Sequence, residues 1–222
     1  MTQLFDDWPD PYEQWFQTPI GQLVYQTELA LILELLEPQA DDNILDAGCG
    51  SGIFTAPLIE RGVQITGVDL SLPMLSRATA RLAEARFAAA DISKLPFADN
   101  TFDKCTSITA LEFIEDAKQA LGELFRVTRP GGKVVVATLN SLSPWATRRH
   151  DNAKQDKDSV FNHAWFRSPN ELLALTPVSG ETRTAVHFDK HCELAEARAI
   201  EQQGLQQQRN DGAFLIGSWI KP

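Results

Sequence analysis

Three alternate glycines follow a short apolar segment, and this stretch constrains the chain more than any other. Residues 43–47, Asn-Ile-Leu-Asp-Ala, suit a buried parallel strand. Gly48, Gly50 and Gly52 come next, and glycine permits a tight turn in which the backbone approaches a ligand with no Cβ between them. Pro57 follows at a position typical of the first turn of a helix. The stretch therefore predicts a strand, a cofactor-binding turn and a helix.

The spacing of the glycines indicates which kind of cofactor the turn holds. A dinucleotide-binding turn has the pattern G-x-G-x-x-G, which would place its third glycine at position 53, where this chain has Ile53. Asp46 precedes the first glycine by two residues. A carboxylate at this point repels a pyrophosphate but suits a ligand that carries an ammonium or sulfonium group. A nicotinamide-dependent oxidoreductase is therefore the less favoured alternative.

Further motifs follow the glycine turn in order along the chain. They are Val68-Asp-Leu-Ser71, Asp91-Ile-Ser-Lys-Leu-Pro-Phe97, Phe102-Asp103 with Leu111-Glu-Phe113, and Arg129-Pro-Gly-Gly132. Together with Asp46-Ala-Gly-Cys-Gly-Ser-Gly52, they resemble the class I S-adenosylmethionine (SAM)-dependent methyltransferases. The resemblance is strongest to the bacterial small-molecule group similar to the ubiquinone/menaquinone-biosynthesis C-methyltransferases, and it covers about residues 41–138.

The resemblance implies a Rossmann-like α/β fold with a seven-stranded, mostly parallel sheet, helices on both faces and an antiparallel last strand. We expect one domain with an N-terminal helical lid or cap (1–40), a SAM-binding core (41–139), a variable substrate region (140–183) and C-terminal strands with a helix (184–222). The implied reaction is in-line methyl transfer from SAM to an unidentified small molecule, with S-adenosylhomocysteine as the product. A non-catalytic SAM-binding regulator or partner subunit remains an alternative, because binding motifs do not show turnover.

The resemblance also assigns cofactor-binding residues to the ends of the predicted strands. Asp69, 17 residues after Gly52, is assigned to the ribose hydroxyls, and a helix N-cap is the competing interpretation. Asp91 is assigned to the adenine amino group, with turn capping as its alternative, and Leu111 to a wall of the pocket. The full expected set in these loops is Asp46, Gly48, Cys49, Gly50, Asp69, Leu70, Asp91, Ile92 and Leu111. For Glu112, a solvated acid is preferred to a group that contacts cofactor or substrate.

Aromatic residues dominate the beginning of the chain. Tyr12, Trp15 and Phe16 lie at the spacing i, i+3, i+4, which predicts a helix with an aromatic face. The simpler interpretation is that this face packs onto the domain. In the resembling family the N-terminal segment covers the cofactor, so Tyr12 and Trp15 are the candidates for cation–π contact with the sulfonium of SAM.

Composition limits the partners that we expect. The formal net charge of −10 argues against nucleic acid as a substrate, because phosphate contacts need a basic surface. No segment approaches 18 uninterrupted apolar residues, so we expect a cytoplasmic protein without a membrane span. The three cysteines lack C-x-x-C pairing, which predicts neither disulfides nor a metal site.

The sequence gives no clear catalytic base. The segment from Asn140 to Arg167 is polar and crowded with charges, and we expect it to be irregular and to contribute to substrate recognition. His163 lies there beside Trp165 and is the weak candidate for a base. Methyl transfer depends mainly on positioning, so a missing base is compatible with the reaction.

Overall fold

A seven-stranded sheet forms the centre of the protein, with the strand order β3-β2-β1-β4-β5-β7-β6. The computed structural model describes residues 3–7, 9–157 and 159–222, without the side chains of Pro9, Pro11 and Tyr12. The strands are β1 (Asn43–Ala47), β2 (Gln64–Asp69), β3 (Arg86–Ala89), β4 (Phe102–Ile108), β5 (Thr128–Leu139), β6 (Gly180–Ala185) and β7 (Phe214–Ile220). Strands β1 to β5 pair in parallel, whereas β7 runs antiparallel to both β5 and β6. The predicted mostly parallel fold with an antiparallel last strand is confirmed.

Helices cover both faces of this sheet. They are α1 (Pro9–Gln17), α2 (Pro19–Leu36), α3 (Ala56–Ile59), α4 (Leu72–Arg81), α5 (Ala117–Val127), α6 (Pro144–Gln155), α7 (Pro169–Leu173) and α8 (Leu194–Gln206). Alternate residues of one strand enter opposite core layers: Ile44 packs with α2, whereas Leu45 and Ala47 pack with α5. Among the described helices, none is both long and apolar enough to cross a bilayer.

Three helices begin at residues whose side chains cap them. Ser71 accepts a hydrogen bond from the Met74 backbone N–H at 3.4 Å and caps α4. Asp116 accepts from the Gln119 N–H at 2.9 Å and caps α5. Ser168 forms a capping box with Glu171 at the start of α7. Local side-chain chemistry therefore fixes where these helices begin.

The charged segment after β5 differs from the expectation of irregular structure. It contains α6, whose first turn is capped by Ser143, with Pro144 at the first helical position. Of the residues in this helix, Trp145, Ala146 and Ala153 are buried. So few apolar positions give a weak helical period, which explains why the sequence pattern does not reveal the helix.

Gly204 lies inside α8, although glycine often marks the end of a helix. A Cβ at this position would lie 2.4 Å from Cγ of His187. The missing side chain therefore makes room for the imidazole ring. β6 begins at Gly180, inside the region 140–183 that we expect to contribute to substrate binding, and it ends at Ala185, because Val186 has a φ of 63°, which interrupts the extended conformation.

The carboxylate of Glu201 joins α8 to the end of β6. It accepts hydrogen bonds from the backbone N–H groups of Val186 and His187 at 3.1 and 2.6 Å. It also lies 3.1 Å from Nδ1 of His187, whose Nε2 lies 3.1 Å from the Thr184 hydroxyl. Since the His187 side chain is fully buried, water does not replace these partners.

We expect Glu201→Ala to lower the free energy of unfolding by about 2–4 kcal/mol, because it leaves buried N–H groups without an acceptor. Urea denaturation measures this loss. Gln202→Ala, an exposed change on the same helix, is the control and should remain within about 0.5 kcal/mol of wild type. If both variants unfold alike, the network does not stabilise the C-terminal half of the sheet.

Candidate active site

A cavity of about 240 Å³ lies at the carboxyl ends of β1, β2, β3 and β4. We call it the glycine-loop cavity. Its lining comprises Gln3, Leu4, Phe5, Asp46, Gly48, Cys49, Gly50, Ile53, Phe54, Asp69, Leu70, Ser71, Met74, Ala90, Asp91, Ile92, Ile108, Thr109, Ala110, Phe113 and Ile114. Ligands of open α/β sheets bind at this edge, because the loops that leave parallel strands meet there.

The glycine turn after β1 is held against β2 by backbone hydrogen bonds. The N–H groups of Gly48 and Cys49 both donate to the Val68 carbonyl, at 2.7 and 3.0 Å. Gly48 has a φ of 78°, and a Cβ there would lie 2.4 Å from Cβ of Ala110. At Gly50 a Cβ would meet no atom within 4 Å. The turn is thus tightly packed at Gly48 and open to a ligand at Gly50.

Asp69 connects this turn to the start of α4. Its Oδ2 accepts from the Gly50 N–H at 2.9 Å, and its Oδ1 accepts from the Ser71 N–H at 2.8 Å. Burial raises the pKa of the Asp69 carboxyl, and these two hydrogen bonds act in the opposite direction. Each carboxylate oxygen has a further lone pair. The side chain can therefore accept two hydroxyl groups of a ligand, while Ser71 caps the helix with its own hydroxyl.

Asp46 occupies the floor of the same cavity. Its carboxylate is buried and accepts a hydrogen bond from the Thr55 hydroxyl at 2.6 Å. Burial raises the pKa of Asp46 to about 6, although the Thr55 bond lowers it. A positive charge bound nearby favours the ionised form of such a carboxyl. The geometry therefore suits a cationic group in the cavity better than an anionic one.

The outer part of the cavity combines an acid with apolar side chains. Asp91 accepts from the Ser93 N–H at 2.8 Å and caps a short 3₁₀ turn, Ile92–Lys94. Its second oxygen has no partner among the described residues. Leu70 is 48% exposed at the rim, and Ile92 is buried. This arrangement can take a flat aromatic base between apolar surfaces, with a hydrogen-bond acceptor at its edge.

Some expected site residues lie elsewhere. Leu111 does not line the cavity, because its side chain is fully buried in the core beside α5, and Ala110 lines the wall instead. Trp15 lines a neighbouring cavity and packs edge to face on Trp145, with ring centroids 6.3 Å apart. The Tyr12 side chain lies outside the described part of the chain. His163 is exposed and lines neither cavity.

The N-terminal segment closes one side of the glycine-loop cavity. Phe5 packs edge to face on Phe113, with ring centroids 4.8 Å apart. Asp6 accepts a hydrogen bond from the Ser71 hydroxyl at 2.8 Å. Glu13 on α1 pairs with Arg81 on α4 at 2.8 Å. Polar contacts at several points therefore hold this segment across the cavity.

A second cavity, of about 330 Å³, adjoins the first. We call it the arginine cavity. It is lined by Phe5, Trp15, Phe16, Val24, Glu28, Thr109, Glu112, Phe113, Leu139, Trp145, Arg148, Arg149, Asn152, Val160, Phe161, Val186, Lys190 and Ala213. Phe5, Thr109 and Phe113 line both cavities. A molecule in the arginine cavity would thus lie beside a ligand in the glycine-loop cavity.

Arg149 presents an unpaired cation to the arginine cavity. Its guanidinium lies 5.2 Å from the ring centroid of Trp145 and 5.4 Å from that of Phe161. Burial lowers the pKa of Arg149 to about 10, while Glu28 and Glu112 raise it. The group is therefore charged at neutral pH. Among the described residues it has no hydrogen-bond or ion-pair partner, so it is available to an anionic ligand.

Two buried carboxyl groups face the same space. Burial raises the pKa of Glu28 on α2 to about 8, and its oxygens have no partner among the described residues. Glu112 is fully buried in the 3₁₀ turn Leu111–Phe113 and accepts from the Thr138 hydroxyl at 3.1 Å. Its Oε1 has no partner in the described part of the chain. Burial raises the pKa of Glu112 to about 7.

These carboxyl groups show where sequence reasoning was incomplete. Glu112 is buried, so the preferred interpretation of a solvated acid is wrong. Its side chain is covered because Glu112 lies in the packed 3₁₀ turn that follows the central strand β4. The sequence analysis assigns no role to Glu28. Glu28 lies on the same apolar helix face as Val24, Leu31 and Leu35, and an acid in that position of the sequence indicates a buried carboxyl group.

Comparisons with known proteins identify the family to which the chain belongs. Residues 45–136 match the sequence profile of a family described as a methyltransferase domain. The chain is 43% identical over 207 residues to the malonyl-[acyl-carrier protein] O-methyltransferase of Pseudescherichia vulneris, covering 84% of this chain and 82% of the relative. It is 37% identical over 119 residues to the demethylmenaquinone methyltransferase of Renibacterium salmoninarum, covering 53% of this chain and 50% of the relative.

A solved structure shows the same fold over nearly the whole chain. It is a SAM-dependent methyltransferase of Thermotoga maritima, described as a possible histamine N-methyltransferase, with a TM-score of 0.80 and 21% identity. The superposition covers 99% of this chain and 98% of that one. We conclude that this chain belongs to the class I SAM-dependent methyltransferases, because it matches their domain, is 43% identical to one relative and shares the fold.

Proposed function

We propose that this enzyme transfers the methyl group of SAM to a carboxylate oxygen of an acyl acceptor, either a small molecule or a carrier-bound acyl group. Membership of the methyltransferases gives the cofactor and the reaction class. The acceptor class is our inference. It rests on Arg149, an unpaired guanidinium in the cavity that adjoins the glycine-loop cavity. Relatives that are 43% identical and named malonyl-[acyl-carrier protein] O-methyltransferases support it.

The glycine-loop cavity has the groups that SAM requires. Asp69 would accept the ribose hydroxyls, and Asp91 would accept the adenine amino group. Leu70 and Ile92 would contact the adenine faces, and Asp46 would face the positively charged end of the cofactor. When bound, SAM supplies an electrophilic methyl carbon attached to a sulfonium.

The arginine cavity would position the acceptor. A carboxylate paired with Arg149 would lie in a largely aromatic enclosure next to the shared residues Phe5 and Phe113. A carboxylate is already ionised at neutral pH, so its oxygen needs no general base. Among the described residues, no histidine lines either cavity. The enzyme would then accelerate methyl transfer by orienting the acceptor and by excluding water from the site.

We expect Asp69→Ala to weaken SAM binding at least about tenfold, because charge-assisted hydrogen bonds to the ribose are lost. Calorimetric titration with SAM and with S-adenosylhomocysteine measures the change. Asp69→Asn, which keeps the shape of the side chain, separates the effect of charge from damage to the turn. Asp151→Ala is an exposed control outside both cavities. If all three variants bind SAM like the wild type, Asp69 only caps the turn.

We expect Arg149→Met to lower kcat/KM for carboxylate acceptors at least about 100-fold, because the buried partner of the anion is lost. The affinity for SAM should not change, since Arg149 lines only the arginine cavity of the two. Methyl ester formation from malonyl-coenzyme A and from monoethyl malonate is measured by mass spectrometry. Lys154→Met, on the exposed side of the same helix, is the matched control.

Two results would contradict the proposed function. The first is that the wild-type enzyme methylates amines or phenols but no carboxylate. The second is that Arg149→Met and Lys154→Met have the same activity on the carboxylate acceptors. Binding of SAM with no methyl transfer to a broad acceptor panel would instead support the alternative of a SAM-binding regulator.

A further inference from the structure

Charged side chains of both signs line the arginine cavity without pairing with one another. Glu28 lies on α2 and Glu112 in the turn after β4, and we call them the acid pair. Arg149 lies on α6 and Lys190 in the loop after β6, and we call them the cation pair. Among the described residues, no member of one pair forms an ion pair or hydrogen bond with a member of the other. The cavity therefore has unpaired groups of both signs to offer to a ligand.

The acid pair is enclosed by the protein. The relative exposures are 9% for Glu28 and 0% for Glu112. One oxygen of Glu112 accepts a hydrogen bond from the Thr138 hydroxyl at 3.1 Å, and the other, Oε1, has no partner in the described part of the chain. A buried carboxyl oxygen is unfavourable unless it accepts a hydrogen bond or meets a positive charge. The acid pair can therefore accept a donor group that the protein itself does not supply.

The cation pair lies on two elements that are joined to each other. Arg148 on α6 forms an ion pair with Asp189 in the loop after β6 at 2.7 Å. Arg149 and Lys190 are the next residues on these two elements, and both are half-buried. Because Arg148 is already balanced by Asp189, the cation pair supplies the unpaired positive charge of the lining. A ligand carboxylate can pair with either cation or with both.

Aromatic rings enclose the space that the two pairs share. Phe113 packs against Phe5 with ring centroids 4.8 Å apart and lies 6.4 Å from Phe161. Trp15 and Trp145 also line the cavity. The faces of such rings attract cations, and apolar surroundings reduce the screening of charge. An ammonium group would therefore be favoured by the rings as well as by the acid pair.

The charge of the acid pair can respond to a bound cation. Burial raises the pKa of Glu28 to about 8, and Glu112 raises it further, whereas Arg149 lowers it. Burial raises the pKa of Glu112 to about 7, whereas Arg149 and Arg167 lower it. A positive ligand group at this position favours the ionised form of both carboxyl groups. The acid pair thus becomes a stronger partner for an ammonium group as that group binds.

We propose that the acid pair is a binding site for an ammonium group, so that the acceptor is a zwitterion whose carboxylate pairs with the cation pair. This proposal rests on the proposed function for the role of the carboxylate and adds a second recognition site in the same cavity. The ligand class is an amino acid in which a carbon chain separates the carboxylate from a primary ammonium group. Such a molecule has no net charge, and its two ends complement the two acids and the two cations of the lining.

The two ends of this acceptor differ in reactivity. An ammonium group that is held by an ionised carboxylate has no free electron pair, so its nitrogen does not attack the methyl carbon. A carboxylate oxygen has free electron pairs, and its bond to the methyl carbon forms as the bond from sulfur to that carbon breaks. The products are an amino-acid methyl ester and S-adenosylhomocysteine, and no proton is transferred. The acid pair thus anchors the acceptor and needs no role as a base.

The test compares amino acids with acids of the same shape that lack the ammonium group. The probes are β-alanine, 4-aminobutanoate and 6-aminohexanoate, and their counterparts with a methyl group in place of the ammonium are butanoate, pentanoate and heptanoate. Calorimetry in the presence of S-adenosylhomocysteine measures the dissociation constants. We expect at least one amino acid to bind at least about tenfold more tightly than its counterpart. Since an aromatic lining favours the more apolar counterpart, this preference reports recognition of the charge.

Glu28→Gln and Glu112→Gln preserve side-chain shape and remove a carboxylate from the acid pair. Each should reduce the preference at least about fivefold, while the counterpart binds as it does to the wild type and shows that the cavity is intact. Lys190→Met should weaken both members of a probe pair alike, because it acts on the carboxylate end. Glu34→Gln, on the exposed side of α2 and ion-paired with Arg183 at 3.0 Å, is the matched control and should leave the preference unchanged.

Binding decides this proposal, and the reaction products decide the proposed function. If no amino acid binds more tightly than its counterpart, or if the preference persists in both glutamine variants, the ammonium site is wrong. Mass spectrometry after incubation with SAM identifies the products. A preference that depends on the acid pair, with no methyl ester or with the methyl group on nitrogen, supports the ammonium site and contradicts carboxylate methylation. Methyl esters of malonyl-coenzyme A without any preference for the amino acids would give the reverse conclusion.

Discussion

The hydrogen bond from the Gly50 N–H to Asp69 is the interaction on which the site depends. It ties the turn after β1 to the end of β2 at 2.9 Å, while the Gly48 and Cys49 N–H groups donate to the Val68 carbonyl. These bonds hold the loops of adjacent parallel strands at one edge of the sheet. The cavity at that edge has its shape because the turn cannot move away from β2. Asp69 at the end of β2 and Asp91 after β3 thus accept hydrogen bonds from backbone N–H groups at this edge.

Burial of acidic side chains lowers the stability of this protein at neutral and higher pH. The pKa of Asp46 rises from 3.8 to about 6, that of Glu112 from 4.5 to about 7 and that of Glu28 from 4.5 to about 8. An unfolded chain releases these protons at lower pH than the folded protein does. Folding therefore takes up protons, and each group destabilises the fold increasingly as the pH rises from its unfolded pKa to its folded one. Acids that were selected for stability alone would not be buried in this way.

The sequence predicts the fold and the glycine turn well because both depend on local patterns. The glycine spacing and the acids at strand ends are short motifs, and the structure contains the predicted turn and sheet. The arginine cavity was not predictable in the same way. Its charges come from α2, the turn after β4, α6 and the loop after β6, which are far apart in the chain and meet only after folding. Trp15 and Leu111 show the same limit: a helical period or a loop position does not determine which cavity, or which core layer, a side chain enters.

The two cavities are built from different parts of the chain. Apart from residues 3–5, the glycine-loop cavity uses residues 46–114, whereas the arginine cavity draws many of its side chains from residues 15–28 and 139–213. Phe5, Thr109 and Phe113 are the residues common to both linings. Substitutions in α6 or in the loop after β6 therefore alter the lining of the arginine cavity and leave the glycine turn unchanged. The two linings can diverge separately in evolution, although the residues of the arginine cavity lie on both sides of the glycine turn in the sequence.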